Sequence, residues 1–265
     1  MHLQILGSSS SGNCALLTTE NCKVLIEAGF SAKRLKGMLE VIGVSLEEID
    51  AVFISHEHSD HIVGLRGLAR HEHIQFFANA QTAQAVERSL KKSFNWTFFE
   101  TGKSFLFKGM EVLSMATPHD AYEPVGFIFQ SGEDTLFSPR RSLAWVTDLG
   151  YVPEVIARRV QGVDILVLES NYDEGLLEDD ERRPFSVKQR IRGRHGHLSN
   201  EATRDFLLNS ETSRWKHVVL AHLSKDCNTP DQVRLGLKPL LERPRDFNLT
   251  VIDPVSEESI AIDLS

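Results

Sequence analysis

The heptapeptide Ser55-His56-Glu57-His58-Ser59-Asp60-His61 gathers imidazoles and carboxylates into one short stretch. These are the side chains that hold zinc and related divalent ions, and such short spacing suits a metal site. The run before it, Ala51-Val52-Phe53-Ile54, is apolar and rich in strand formers, so the cluster begins where a strand ends. His56 and His58, two apart in extended chain, project to one side. Asp60 and His61 open an amphipathic run over 61–70 that reads as a helix, whose first amides favour a carboxylate. The competing view is a surface loop that happens to hold three histidines.

Other strands deliver similar residues. The apolar run 110–116 leads into Thr117-Pro118-His119-Asp120, the run 143–147 into Asp148, and the run 218–221 into His222. If these strands lie beside 51–54, then His56, His119, Asp148 and His222 meet at one sheet edge, where functional groups of α/β proteins collect. A further buried strand over 163–168 ends at Glu169-Ser170-Asn171.

The remaining elements serve packing or binding. Ser31 suits an N-cap for a helix with Leu35, Met38, Leu39 and Ile42 on its apolar face, closed by Gly43. The stretch Gly7 to Asn13 reads either as a plain turn or as a loop of small residues that turns backbone N–H groups toward an anion, with Ser9, Ser10, Ser11 and Asn13 as candidate substrate contacts. Residues 131–142 read as a polar surface excursion. The stretch 187–199 carries Lys188, Arg190, Arg192 and Arg194 without an acidic residue. It is either a solvated basic loop or a surface for a phosphate backbone.

Whole-chain properties set outer bounds. A chain of 265 residues, 41% hydrophobic and 25% charged, has the composition of a soluble globular protein, and one domain over 1–265 is expected. The net charge of −8 argues against a protein that coats nucleic acid without specificity. Cys14, Cys22 and Cys227 are odd in number and form no metal-type pattern, which argues against a disulfide framework. No apolar run reaches the roughly 18 residues of a membrane span, and residues 1–6 lack the features of a signal peptide. A cytoplasmic protein with no membrane association and no obligate protein partner is the expectation.

The pattern His56-x-His58-x-Asp60-His61 resembles the signature of the metallo-β-lactamase superfamily. That resemblance implies an α/β fold, the four-layered αβ/βα sandwich of two mixed β-sheets flanked by helices. It also implies two divalent metal ions, with zinc favoured and manganese or iron permitted. In the implied ligand set His56, His58 and His119 hold the first ion, Asp60, His61 and His222 the second, and Asp148 bridges both. Glu27 stands where the family usually has an aspartate that orients metal-binding histidines.

Further blocks are similar to the YycJ/WalJ-type branch. They are residues 7–13, 117–121, 147–150, 169–171 and 221–224, together with Gly196-His197-Leu198-Ser199-Asn200. Tyr172 and Cys227 depart from that branch, which more often has histidine and asparagine there. Its proteins resemble phosphodiesterases such as ribonuclease Z and are described as 5′-to-3′ DNA exonucleases. The resemblance thus implies a nucleic-acid substrate, DNA rather than RNA, attacked by a metal-bridged hydroxide that Asp60 orients. His197 would clamp the phosphate or protonate the leaving oxygen, the competing view being a histidine that caps the following helix, with Ser199, Asn200 and the arginines 190, 192 and 194 binding substrate. The alternatives are a thioester or lactam hydrolase of the same superfamily and a non-catalytic metal-bearing module.

Overall fold

A computed structural model describes residues 1–133, 135, 139–210 and 213–264. Its strands are β1 (His2–Ser9), β2 (Gly12–Thr18), β3 (Lys23–Ile26), β4 (Ala51–Phe53), β5 (Gln75–Ala78), β6 (Trp96–Phe98) and β7 (Ser104–Phe107). They continue as β8 (Met110–Ala116), β9 (Val125–Ser131), β10 (Arg141–Val146), β11 (Ile165–Glu169), β12 (His217–Ala221), β13 (Asn248–Val251) and β14 (Ile260–Asp263). One sheet has the order β14-β1-β2-β3-β4-β5-β6 and the other β13-β12-β11-β10-β9-β8-β7. Two mixed seven-stranded sheets flanked by helices are the architecture expected from the sequence. The excursion expected at 131–142 falls partly outside the described residues.

The chain divides into two compact units. The first comprises Met1–Ala116, Ala121–Arg141 and Glu257–Ser265, and the second Thr117–Asp120 and Ser142–Ser256.

In the first unit an aromatic layer forms the core. Phe53 stacks on Phe77 at 4.6 Å and meets Phe129 edge-on at 5.3 Å, and Phe77 stacks on Phe105 at 5.6 Å. Offset and edge-to-face pairs of this kind add to the gain from burying large rings. Ser31 caps the helix Ala32–Val41 as expected, accepting a hydrogen bond from the Arg34 amide. The single helix expected over 61–70 is instead two short ones, Ser59–Ile62 and Leu65–Leu68. Gly64 lies at the break, where its amide donates to Ala28 O and an added Cβ would sit 2.4 Å from Phe30 O. Close backbone packing thus overrides the helical periodicity there.

The serine-rich stretch also differs from its expected loop. Gly7, Ser8 and Ser9 continue β1, with a register shift between Ile5 and Gly7, so that Ser10 and Ser11 alone form the turn into β2.

In the second unit β10, β11, β12 and β13 run parallel. The helices Glu154–Val160 and Asn200–Leu208 lie in the connections, since parallel neighbours need a long crossover. Trp145, Val167 and Val219 are buried side chains of these strands. The basic stretch expected as a loop begins inside a helix over Phe185–Arg192, none of whose residues is buried, while Arg194 lies in the turn that follows. Among the described residues no helix is long and apolar enough to cross a membrane.

Strand placement corrects one expectation. The strands that end near Asp148 and His222 share one sheet, but β4, which leads to His56, belongs to the other. The four strands therefore do not lie side by side.

Candidate metal centre

The first unit presents one donor set. Beyond β4 the chain brings His56 and His58 together with ring centroids 4.5 Å apart, and His56 and His61 at 4.1 Å. The helix Ser59–Ile62 starts after His58 and carries Asp60 and His61 in its first turn, as the spacing suggests. His56 Nδ1 lies 2.9 Å from Ser55 Oγ. His61 Nδ1 lies 3.3 Å from Glu27 Oε2, and its Nε2 lies 3.2 Å from Asp60 Oδ2. Glu27 is wholly buried and also accepts from the Ser55 amide at 3.4 Å. It holds this position with φ at 66°, a left-handed conformation that costs a non-glycine residue on the order of 1–3 kcal/mol.

Asn13 turns inward rather than toward solvent. It is fully buried, and its amide donates to Ser9 O at 3.0 Å and Asp60 Oδ2 at 3.1 Å while Ser8 Oγ donates to its carbonyl at 2.9 Å. Asn13 thereby fixes the Asp60 carboxylate. Ser9 is buried with its hydroxyl 3.1 Å from that of Ser11, whereas Ser10 and Ser11 are exposed at the turn.

The second unit presents another set. Because β10, β11 and β12 are parallel and in register, Asp148, Glu169 and His222 emerge from matching ends. Asp148 and His222 have φ of 60° and 57°, a further strained pair of backbones beside chemistry. One donor atom each from Asp148, Glu169, His197 and His222 can be chosen so that all lie within 4.8 Å of one another. His222 Nδ1 lies 2.7 Å from Glu169 Oε1, and His222 Nε2 lies 3.4 Å from Asp148 Oδ1. His119 Nδ1 lies 3.0 Å from Gly196 O, and its Nε2 lies 3.7 Å from Asp148 Oδ1.

Glu169 is the hub of this set. Oε1 also faces His197 Nδ1 at 2.8 Å, and Oε2 accepts from the Leu149 and Leu198 amides at 3.2 and 3.0 Å. Burial opposes its charge, but the His197 imidazolium and the bonds from His197 and His222 hold the carboxyl well below the usual range. Burial likewise opposes protonation of His197, yet the Glu169 carboxylate raises that imidazole above its ordinary value. Reading the sequence for metal ligands misses this role of Glu169. The signal was present, since Glu169 ends a buried strand just as the ligand-type residues do.

The remaining candidates are distributed over nearby elements. Arg190 pairs with Asp120, and Arg192 lies 2.9 Å from Glu174 and 2.7 Å from Glu178. Arg194 has no carboxylate partner among the described residues; its guanidinium lies 4.7 Å from the centre of the Tyr151 ring. Ser199 caps the helix Asn200–Leu208 by accepting from the Ala202 amide, and Asn200 is buried against Ser170 and Asn228. Both support the frame around His197. Tyr172 and Cys227, the departures from the branch pattern, pack with Leu177 in a small buried cluster.

The donors fit divalent cations. His56, His61, His119 and His222 each have Nδ1 against a hydroxyl, carboxylate or carbonyl oxygen, the arrangement that fixes a ligating imidazole and directs its Nε2. Mixed imidazole and carboxylate donors suit zinc, manganese and iron alike.

This sandwich and these donors define the class: the chain belongs to the beta-lactamase superfamily, whose domain model matches residues 23–222. It is a metal-dependent hydrolase with a site for divalent ions. It is similar to exodeoxyribonuclease YycJ of Bacillus anthracis, 33% identical over 244 residues that cover 91% of this chain and 89% of the relative. Exodeoxyribonuclease WalJ of Streptococcus pneumoniae serotype 2 is 37% identical over 237 residues, 88% of this chain and 85% of that protein. In fold it resembles the metallo-beta-lactamase fold protein YhfI from Bacillus subtilis, with a TM-score of 0.70 at 14% identity, covering 99% of both chains.

Proposed function

We propose that this chain is a dinuclear metal-dependent phosphodiesterase, a cytoplasmic 5′-to-3′ exonuclease that acts on DNA as one hydrolase domain over residues 1–265. One observation carries the reading: two relatives named exodeoxyribonucleases match about nine-tenths of the chain. His56, His58 and His119 would hold one ion, Asp60, His61 and His222 the other, and Asp148 would be shared. Zinc fits this set best, with manganese or iron as alternatives. Two such ions would supply a nucleophile at neutral pH and neutralise charge on a phosphoryl group.

The chain's own residues do the rest. Asp60, fixed by Asn13 and His61, orients the attacking water. His197 is held at Nδ1 by Glu169, and its side chain is 21% exposed, which leaves an edge to meet a phosphoryl oxygen and pass a proton to the leaving oxygen. Arg194 supplies charge to the nucleic-acid backbone, with Arg190 and Arg192 joining where phosphate replaces their carboxylate partners. Ser10 and Ser11, exposed at the β1–β2 turn, offer further phosphate donors.

The test is metal-reconstituted protein on end-labelled single- and double-stranded DNA and RNA, with and without a chelator. Chelator-sensitive release of mononucleotides from DNA 5′ ends is expected. No cleavage of any nucleic acid, with turnover of a thioester instead, would overturn the reading.

A further inference from the structure

A strand-end nuclease must hold the last nucleotide whatever its base, and hydrogen bonds to base edges cannot do that. Stacking can, because every base has a π-face. The second unit carries one exposed arrangement suited to it. Tyr151 lies three residues beyond Asp148, and Arg194 lies three residues before His197, so each belongs to a segment that positions a group of the candidate centre. Tyr151 is 38% exposed, and the guanidinium of the exposed Arg194 lies 4.7 Å from its ring centre.

The backbone beneath the pair is fixed. Gly150 donates to Pro118 O at 3.0 Å, and a Cβ added at Gly150 would lie 2.4 Å from Gly193 O and 2.5 Å from Arg194 O. Only glycine allows that approach, which sets the two segments side by side. The charge is also distinctive. Arg190 and Arg192 are neutralised by Asp120, Glu174 and Glu178, whereas Arg194 meets an aromatic face and no carboxylate among the described residues. A planar cation held at a partly open ring can attract a phosphate while the two flat groups receive a base.

We propose that Tyr151 and Arg194 form a base-stacking platform for the terminal nucleotide of a nucleic-acid strand whose phosphate is bound at the metal centre. The inference rests on the nuclease reading and specifies how that site takes a strand end without regard to sequence.

The test compares wild type, Tyr151→Phe, Tyr151→Leu and Tyr151→Ala, each checked for metal content and circular dichroism. Each meets single strands with a normal or an abasic 5′-terminal nucleotide, made resistant to cleavage by a terminal phosphorothioate for binding and left cleavable for rates. Tyr151→Ala and Tyr151→Leu should weaken binding of the normal end about tenfold or more and raise KM rather than lower kcat. On the abasic end both should match wild type, and Tyr151→Phe should match it on both ends. Equal losses on normal and abasic ends, or no loss on either, would overturn the platform while leaving the nuclease reading intact. Failure of the wild type to bind or cleave either strand would overturn both.

Discussion

Replacing Glu169 by glutamine is the sharpest perturbation of the histidine frame. The carboxylate accepts on both oxygens: His197 and His222 Nδ1 at Oε1, and the Leu149 and Leu198 amides at Oε2. A glutamine must turn an NH2 group toward one of these donor pairs. If it faces the amides, two backbone donors lose their acceptor, at about 1–3 kcal/mol each, and the metal-free protein should lose roughly 2–6 kcal/mol of stability. If it faces the imidazoles, they must accept at Nδ1 and carry the proton at Nε2. His222 Nε2 is the atom 3.4 Å from Asp148, so a protonated Nε2 cannot ligate there. Metal affinity should then fall about 10- to 100-fold, the usual effect of losing a partner that orients a ligand. Urea denaturation of the metal-free protein and competition with a chromogenic chelator read the two outcomes. A glutamine variant with wild-type stability and wild-type metal affinity would refute the role given to Glu169.

Other expectations concern single sites. His197→Ala should retain its metal ions and lose roughly a hundredfold in turnover, whereas His222→Ala should lose metal; elemental analysis and phosphodiesterase rate on the same preparations separate them. Gly29→Ala would place a Cβ 1.7 Å from Asp60 O, so it should shift Asp60, reduce stability by about 1–3 kcal/mol or more, and lower metal content, read by thermal denaturation and elemental analysis. Asp164 provides a pH test away from the centre. Burial opposes its charge, but Lys216 and the Ser142 hydroxyl and amide hold its carboxyl below the ordinary value of 3.8. A depressed carboxylate contributes stability above its unfolded pKa and loses it as pH falls through the folded one. Asp164→Asn should therefore be less stable than wild type near neutrality, with the gap closing below about pH 4; urea midpoints across that range check it.

Much of this fold was legible because its signals are local. β5 and β8 coincide with their apolar runs, and Ser31 caps its helix as its position suggests. The metal-type residues were legible for the same reason, lying where buried strands end. What the sequence did not disclose depends on partners distant in the chain. Asn13 looked like an anion contact in a loop of small residues, yet it turns inward, where Asp60, 47 residues away, offers an acceptor. The run at 61–70 has helical periodicity, but Gly64 packs on the backbone of Ala28 and Phe30 and breaks it. Arg190 and Arg192 looked like unopposed charge because Asp120, Glu174 and Glu178 lie outside the basic stretch. Glu27 illustrates the opposite case: its identity departs from the family pattern, while its left-handed backbone still brings a carboxylate oxygen to His61.

The central proposal is that the chain holds a pair of divalent ions. Anomalous scattering from crystals grown with zinc or manganese tests it most directly. The expected result is two peaks roughly 3.5–4 Å apart. His56, His58 and His119 should surround one and Asp60, His61 and His222 the other, with Asp148 between them. A single peak, or ions bound without His119, Asp148 or His222, would contradict it.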